Sequence, residues 1–184
     1  MKSISFKIMM IFALVAAFLA CQTEQKQSES AGTFAAPGAG QSAVKDDLSE
    51  PNIVVVASGS PDHTTLVAAI KAADYVDAMV NAGPFTVFAP TNAAFGNLPA
   101  GTVEGLLKPE NKLTLQDILE YHVAIGVYKL ENLRNGQTLG MANGQNVSFE
   151  VQDGKVKING ANVIASVPAS NGLIHIVDAV LLPK

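Results

Sequence analysis

The sequence predicts an α+β fold for residues 51–184, and three observations carry that prediction. Apolar side chains recur at helical spacing through the first half of this stretch. From Gly126 on, the chain breaks into short β-branched runs. Asn-Gly or Asp-Gly pairs punctuate those runs at 143–144, 153–154, 159–160 and 171–172, where they supply the positive φ of tight hairpins. Helices first and strands after is the order of an α+β domain, not of an alternating parallel one.

Residues 1–50 stand apart. Sixteen of the first twenty residues are apolar, and Lys2 and Lys7 precede the run IMMIFALVAAFLA at 8–20. Thirteen residues make a helix of about 20 Å, short of a bilayer core of roughly 30 Å. A basic start and a short apolar stretch ending in small residues predict a secretory signal peptide over 1–20. The single cysteine of the chain follows directly, and Leu19-Ala20-Cys21 resembles the lipobox of bacterial lipoproteins, although Phe18 stands where that motif usually has Leu. The resemblance implies acylation of Cys21 and a partner in the lipid bilayer. Gln22 in place of Asp implies an outer membrane, at its periplasmic face or the cell surface. Residues 22–50, rich in Gln, Ser, Ala and Gly, bury too little to offset ordering entropy. With Cys21 they form a flexible tether, residues 21–50, reaching about 30 Å.

The folded part opens at Pro51. IVVVAS at 53–58 has strand propensity. The segment 60–83 reads as one helix, with Asp62 as cap, Leu66, Ile70, Ala73 and Val76 or Asp77 on one face, and Gly83-Pro84 as the stop. PFTVFAPT is a strand. NAAFGNLP is a short helix or turn with Asn92 as its N-cap, or Asn92 with Thr91 closes a polar mouth. TVEGLL is helical up to Pro109. Thr114 and Asp117 mark the start of a helix that places Leu115, Ile118, Leu119 and His122 on one face. The runs QTL, NVSFEV, KVKING, NVIASV and GLIHIVDAVLLP read as four or five antiparallel strands. The last, apolar on both faces, is predicted to be central.

Composition narrows the function. The chain has 184 residues, 12 basic and 16 acidic. A mildly acidic body lacks the electrostatic footprint of a nucleic-acid binder. One cysteine excludes an intrachain disulfide and a Cys-based zinc site. His63, His122 and His175 show no metal-ligand spacing, so no metal or cofactor is expected, and His63 is expected in solvent. GxSxG and GxxxxGK[ST] are absent, and no catalytic residue is assigned. His122, between Leu119 and Val123, reads as a core residue bonded to backbone. His175 reads as structural within LIHIVD. Asp178, as a buried carboxylate, must be hydrogen-bonded and so fastens a neighbouring segment.

Three segments, GPFTVFAPTNAAF at 83–95, LEYHVAIG at 119–126 and NGLIHIVDAVLLP at 171–183, together resemble the fasciclin (FAS1) domain. The resemblance covers residues 51–183. It implies a wedge of two steeply crossed β-sheets with helices packed along one edge. It also implies a helix for IVVVAS, and packing commonly overrides weak propensity. Members are mostly extracellular adhesion proteins without enzymatic activity. Tyr121-His122 matches the family's Tyr-His pair, implicated in integrin contact in animal members, so a partner contact and a structural role both stay open. The family's Asp-Ile adhesion dipeptide is replaced here by Asp178-Ala179. The resulting expectation is an envelope-anchored module for adhesion or for interaction with an unknown protein or polysaccharide. The alternative is an accessory protein holding a small apolar ligand between sheet and helices.

Overall fold

A computed structural model describes residues 50–183 apart from Ala82. The expected signal peptide, Cys21 and nearly all of the expected tether lie outside the described residues. Among those described, no helix is long and apolar enough to cross a membrane.

Helix α1 spans Ile53–Ser58, and its N-cap Asn52 accepts the Val55 N–H at 3.0 Å. The helix implied by resemblance therefore prevails over strand propensity. Ile53, Val54 and Ala57 are buried, so tertiary packing decides the conformation. The single helix expected over 60–83 is interrupted. A 3₁₀ turn Pro61–His63 leads into α2, Thr64–Ala72, and a separate α3 covers Val76–Val80. The break has a local cause. Asp74 adopts a φ of 51°, Asp74 N–H donates to Lys71 C=O at 3.1 Å and Tyr75 N–H to Ile70 C=O at 3.0 Å. This is a Schellman stop with Asp in place of the usual Gly. The cap at the start is Ser60, which accepts from the Asp62 N–H, and not Asp62.

Strand β1, Phe85–Pro90, is followed by α4, Asn92–Gly96, and α5, Thr102–Leu106. The N-cap of α4 is Thr91, whose Oγ1 accepts the Ala94 N–H at 3.3 Å, and not Asn92. A second 3₁₀ turn, Pro109–Asn111, runs straight into α6, Lys112–Glu120. Thr114 and Asp117 consequently lie exposed inside α6 and do not start it. Strands β2 (Val123–Ile125), β3 (Thr138–Gly140), β4 (Asn146–Gln152), β5 (Lys155–Ile158), β6 (Ala161–Ala169) and β7 (Gly172–Val177) complete the chain. Of the four or five strands expected after Gly126, five form, β3 to β7.

The strands form one ladder in the order β2-β1-β7-β6-β5-β4-β3. Only β1 and β7 pair in parallel, from Phe85↔Gly172 to Pro90↔Val177. Strand β7 is central, between β1 and β6, as its apolar character on both faces predicts. Strand β6 belongs to both halves of the ladder. Ala161 and Asn162 pair with β5, whereas Val163 to Ala169 pair with β7 across a register shift at Val163/Ala165. Such a bulge bends a strand, and here it separates the two halves of the wedge.

Alternation along β1 divides the interior in two. Val87 and Ala89 face a core built with α1, α2, α6 and Ile174. Phe88 faces a second core containing Phe149, Val147, Ile158, Tyr121 and Val177. The helices thus pack against the β2-β1-β7 end, and β3 to β5 close over the second core. Asp153-Gly154 and Asn159-Gly160 turn with positive φ at both residues, as expected for type I′ hairpins. Asn171-Gly172 differs. Ala169 pairs with Gly172, so Ser170 and Asn171 form the turn. Gly172 serves close approach instead: a Cβ there would lie 2.0 Å from the Phe85 carbonyl oxygen.

Candidate functional site

The polar residues singled out in the sequence are used mainly to fasten segments distant in the chain. Tyr121 and His122 follow the last turn of α6 and are 1% and 3% exposed. The Tyr121 hydroxyl donates to Asn146 C=O at 3.1 Å and accepts from Asn159 Nδ2 at 2.8 Å. Asn159 Oδ1 in turn accepts from the Ser148 N–H at 2.9 Å. His122 Nε2 accepts the Leu181 N–H at 3.0 Å, which fixes the tautomer. Nδ1 therefore carries the proton and donates to Ile118 C=O at 2.7 Å. Burial drives the His122 pKa down to about 4, against the raising effect of the Ile118 bond. The imidazole is thus a neutral clip between α6 and the segment after β7. In this conformation neither side chain of the Tyr-His pair is presented to a partner. Their contacts are those of the structural alternative.

His175 lies on β7 beneath the loop after β2. Its Nε2 donates to Tyr128 C=O at 2.7 Å, so Nδ1 accepts from the Ser166 hydroxyl at 2.7 Å. Its ring packs on Phe88 with centroids 5.4 Å apart. Burial lowers its pKa as well. His63 is not in solvent as expected: it is 4% exposed. Its Nδ1 shares a 2.8 Å bond with Ser60 Oγ, and its Nε2 has no protein partner. Burial pulls its pKa down despite neighbouring Asp62.

Asp178 is half-buried and holds Asn162 at two points. Its Oδ1 accepts the Asn162 N–H at 2.7 Å and its Oδ2 accepts Asn162 Nδ2 at 2.6 Å. It fastens the segment after β7 to the start of β6. Asn92 does cap a helix, but a neighbouring one. Its Oδ1 accepts the Thr65 N–H at 3.0 Å in the first turn of α2, and its Nδ2 donates to Pro61 C=O at 2.9 Å. It links α4 to the turn before α2. Asn171, read only as a turn residue, is a staple. Its Oδ1 accepts the Ile53 N–H at 3.0 Å, and its Nδ2 donates to Met79 C=O at 2.8 Å and Asn81 C=O at 3.0 Å. Thr86 went unnoticed too. Its hydroxyl donates to Gly126 C=O at 2.7 Å and accepts the Tyr128 N–H at 2.9 Å. Neither could be found from spacing, because their partners lie 40 to 118 residues away.

Among the described residues, no group of three His, Cys, Asp or Glu is placed to hold a metal ion. The outer face of β4 and β5 is different from the interior. Val147, Phe149, Val156 and Ile158 point into the second core, while Glu150, Gln152, Lys155 and Lys157 point outward. With Asp153 and Asn162 these four line a groove of about 290 Å³. All six lining residues are polar, and the groove lies on the face away from the second core.

Comparison with known proteins bears on this geometry. The Fasciclin domain family matches residues 61–183. Protein sll1483 of Synechocystis is 56% identical over 132 residues, which is 71% of this chain and 73% of that protein. Immunogenic protein MPB70 of Mycobacterium bovis is 34% identical over 169 residues, 84% of each chain. Cell surface glycolipoprotein MPB83 of the same species is 32% identical over 141 residues, 74% of this chain and 62% of that protein. Among solved structures, a FAS1 domain pair from the insect cell adhesion molecule Fasciclin I matches with a TM-score of 0.64 at 22% identity. The match covers 72% of this chain and 51% of that one. The fold, the order of its elements and these relatives agree: the chain belongs to the fasciclin-domain family.

Proposed function

We propose that this protein is an envelope-anchored adhesion module, held to a bacterial membrane through acylated Cys21 and presenting its fasciclin domain on a flexible tether. The observation that carries the reading is the domain itself. Its fold matches that of a domain pair from a cell adhesion molecule, and a relative of the same family is a cell surface glycolipoprotein. The Leu19-Ala20-Cys21 sequence and the roughly 30 Å reach of residues 22–50 support anchoring with clearance from the lipid. Two or more acyl chains give a stable anchor where one does not. The buried side chains of Tyr121, His122, His175 and Asn171 are committed to fastening segments, so recognition falls to the outer surface. The domain is read as non-enzymatic, in keeping with its family.

Metabolic labelling with alkyne-palmitate tests the anchor. Wild type takes up label and Cys21→Ala does not; equal labelling of both removes the lipidation. Surface proteolysis of intact cells then separates a surface location from a periplasmic one. Attachment of cells with the gene deleted tests adhesion, and undiminished attachment counts against it.

A further inference from the structure

We propose that the groove on the outer face of β4, β5 and the start of β6 binds a neutral, hydroxyl-rich glycan chain. This inference rests on the adhesion reading only in taking a polysaccharide as the partner.

The groove is built on a firm base. Every second residue of β4 and β5 is locked in the second core, so the outward side chains stand on a ladder that cannot readily shift. The two type I′ turns and the bulge at Val163/Ala165 increase the local twist. At the groove's wall, Asn162 is held by both oxygens of Asp178. Its Nδ2 is committed to Asp178, which leaves Oδ1 as a fixed acceptor.

The charged heads are unspent. Glu150 lies directly across from Lys157 in the ladder, and Gln152 across from Lys155. Yet the two ion pairs among the described residues are Lys112–Asp74 and Lys129–Glu131, neither of them here. The groove therefore offers donors from Lys155, Lys157 and Gln152, and acceptors from Glu150, Asp153, Gln152 and Asn162, all free of protein partners. Two ammonium and two carboxylate groups cancel, so an anionic or cationic ligand gains nothing net. Hydroxyl groups donate and accept at once, which matches intermixed donors and acceptors. The volume, about 290 Å³, lies just under the roughly 300–1,000 Å³ typical of ligand pockets, so it suits only a short stretch of chain. No aromatic ring lines it, so there is no stacking platform. Binding rests on hydrogen bonds and is weak at each site. Many anchored copies on one polymer would supply the avidity.

The test is native affinity electrophoresis of the full chain in a zwitterionic, sugar-free detergent. Gels contain dextran, glucomannan, mixed-linkage β-glucan, anionic alginate or no glycan. The Glu150→Ala/Lys157→Ala variant keeps the net charge, so its mobility without glycan matches wild type. Asn162→Ala removes the fixed acceptor, and circular dichroism melts verify that both variants are folded. The expected result is retardation of wild type by at least one neutral glycan, lost in both variants, with alginate no stronger. No retardation by any neutral glycan, retardation kept in the double variant, or stronger retardation by alginate overturns the proposal. So does loss of a protein partner, and not of a glycan, in the same variants. Cells that attach normally with the double variant but not after deletion leave adhesion standing and remove the groove's role. Glycan retardation from a protein whose deletion leaves attachment unchanged does the reverse.

Discussion

Acidification should destabilise this domain through His122. In the native state Nε2 accepts the Leu181 N–H and Nδ1 donates to Ile118. A proton on Nε2 would set two donors against each other in a buried site. The native pKa of about 4 lies below the unfolded value of about 6.5. As pH falls through 6.5, the unfolded chain takes up the proton first, so stability is full above that value and is lost progressively down to about 4. A difference of about 2.5 units corresponds to about 3 kcal/mol, a large part of the roughly 5–15 kcal/mol that holds a domain together. His63 and His175 are lowered too and act in the same direction. Urea unfolding followed by circular dichroism at pH 7.5, 6.5, 5.5 and 4.5 measures the effect. His122→Gln should be less stable than wild type at pH 7.5, by about 1–3 kcal/mol for an unsatisfied buried group. Its stability should then fall less steeply between pH 6.5 and 4.5, and this difference separates His122 from the carboxylates. Parallel pH profiles for the two proteins would refute the reasoning.

Other perturbations probe the remaining fastenings. Asn171→Ala leaves the Ile53 N–H and two carbonyls without partners and should cost about 2–4 kcal/mol; a loss under about 1 kcal/mol in urea unfolding would count against the staple. Gly172→Ala puts a methyl 2.0 Å from the Phe85 carbonyl oxygen, whereas Gly105→Ala meets nothing within 4 Å. The first should abolish soluble folded protein. The second, inside α5, should raise stability by about 0.5–1 kcal/mol, as read from the melting temperature. Tyr121→Phe removes the hydroxyl between Asn146 and Asn159 and should cost about 1–2 kcal/mol; an unchanged denaturation midpoint would show that this bridge adds nothing.

What the sequence revealed followed the range of each interaction. The five C-terminal strands were legible because side-chain alternation and Asn-Gly chemistry act over two to four residues. His122 was legible as a backbone-bonded core residue because its partner Ile118 sits one helical turn back. Asp178 was legible as a fastener from its apolar surroundings, although its partner Asn162 was not. The caps failed for the opposite reason. Asn92 has the residue type of a cap, yet the helix it caps starts 28 residues earlier. His63 lies near a helix start and reads as solvated, but the packing of the turn before α2 against α4 buries it. Asn171 looks like hairpin chemistry, while its first partner is 118 residues away. Pairings of that length leave no spacing to detect. The groove is legible only once the strand register sets Glu150 against Lys157.

The parallel pairing of β1 with β7 has a consequence for biogenesis. Strand β1 has β2 on one side, but its other neighbour is the last strand of the domain. Asn171 reaches back to α1, and Leu181 reaches back to His122. A nascent chain that stops before about residue 172 therefore has neither the central strand nor the staples that join the two ends. Such contacts between distant parts of a chain form slowly. The domain therefore cannot close until β7, Asn171 and Leu181 are all available, so its folding is completed by the segment around residues 171–181.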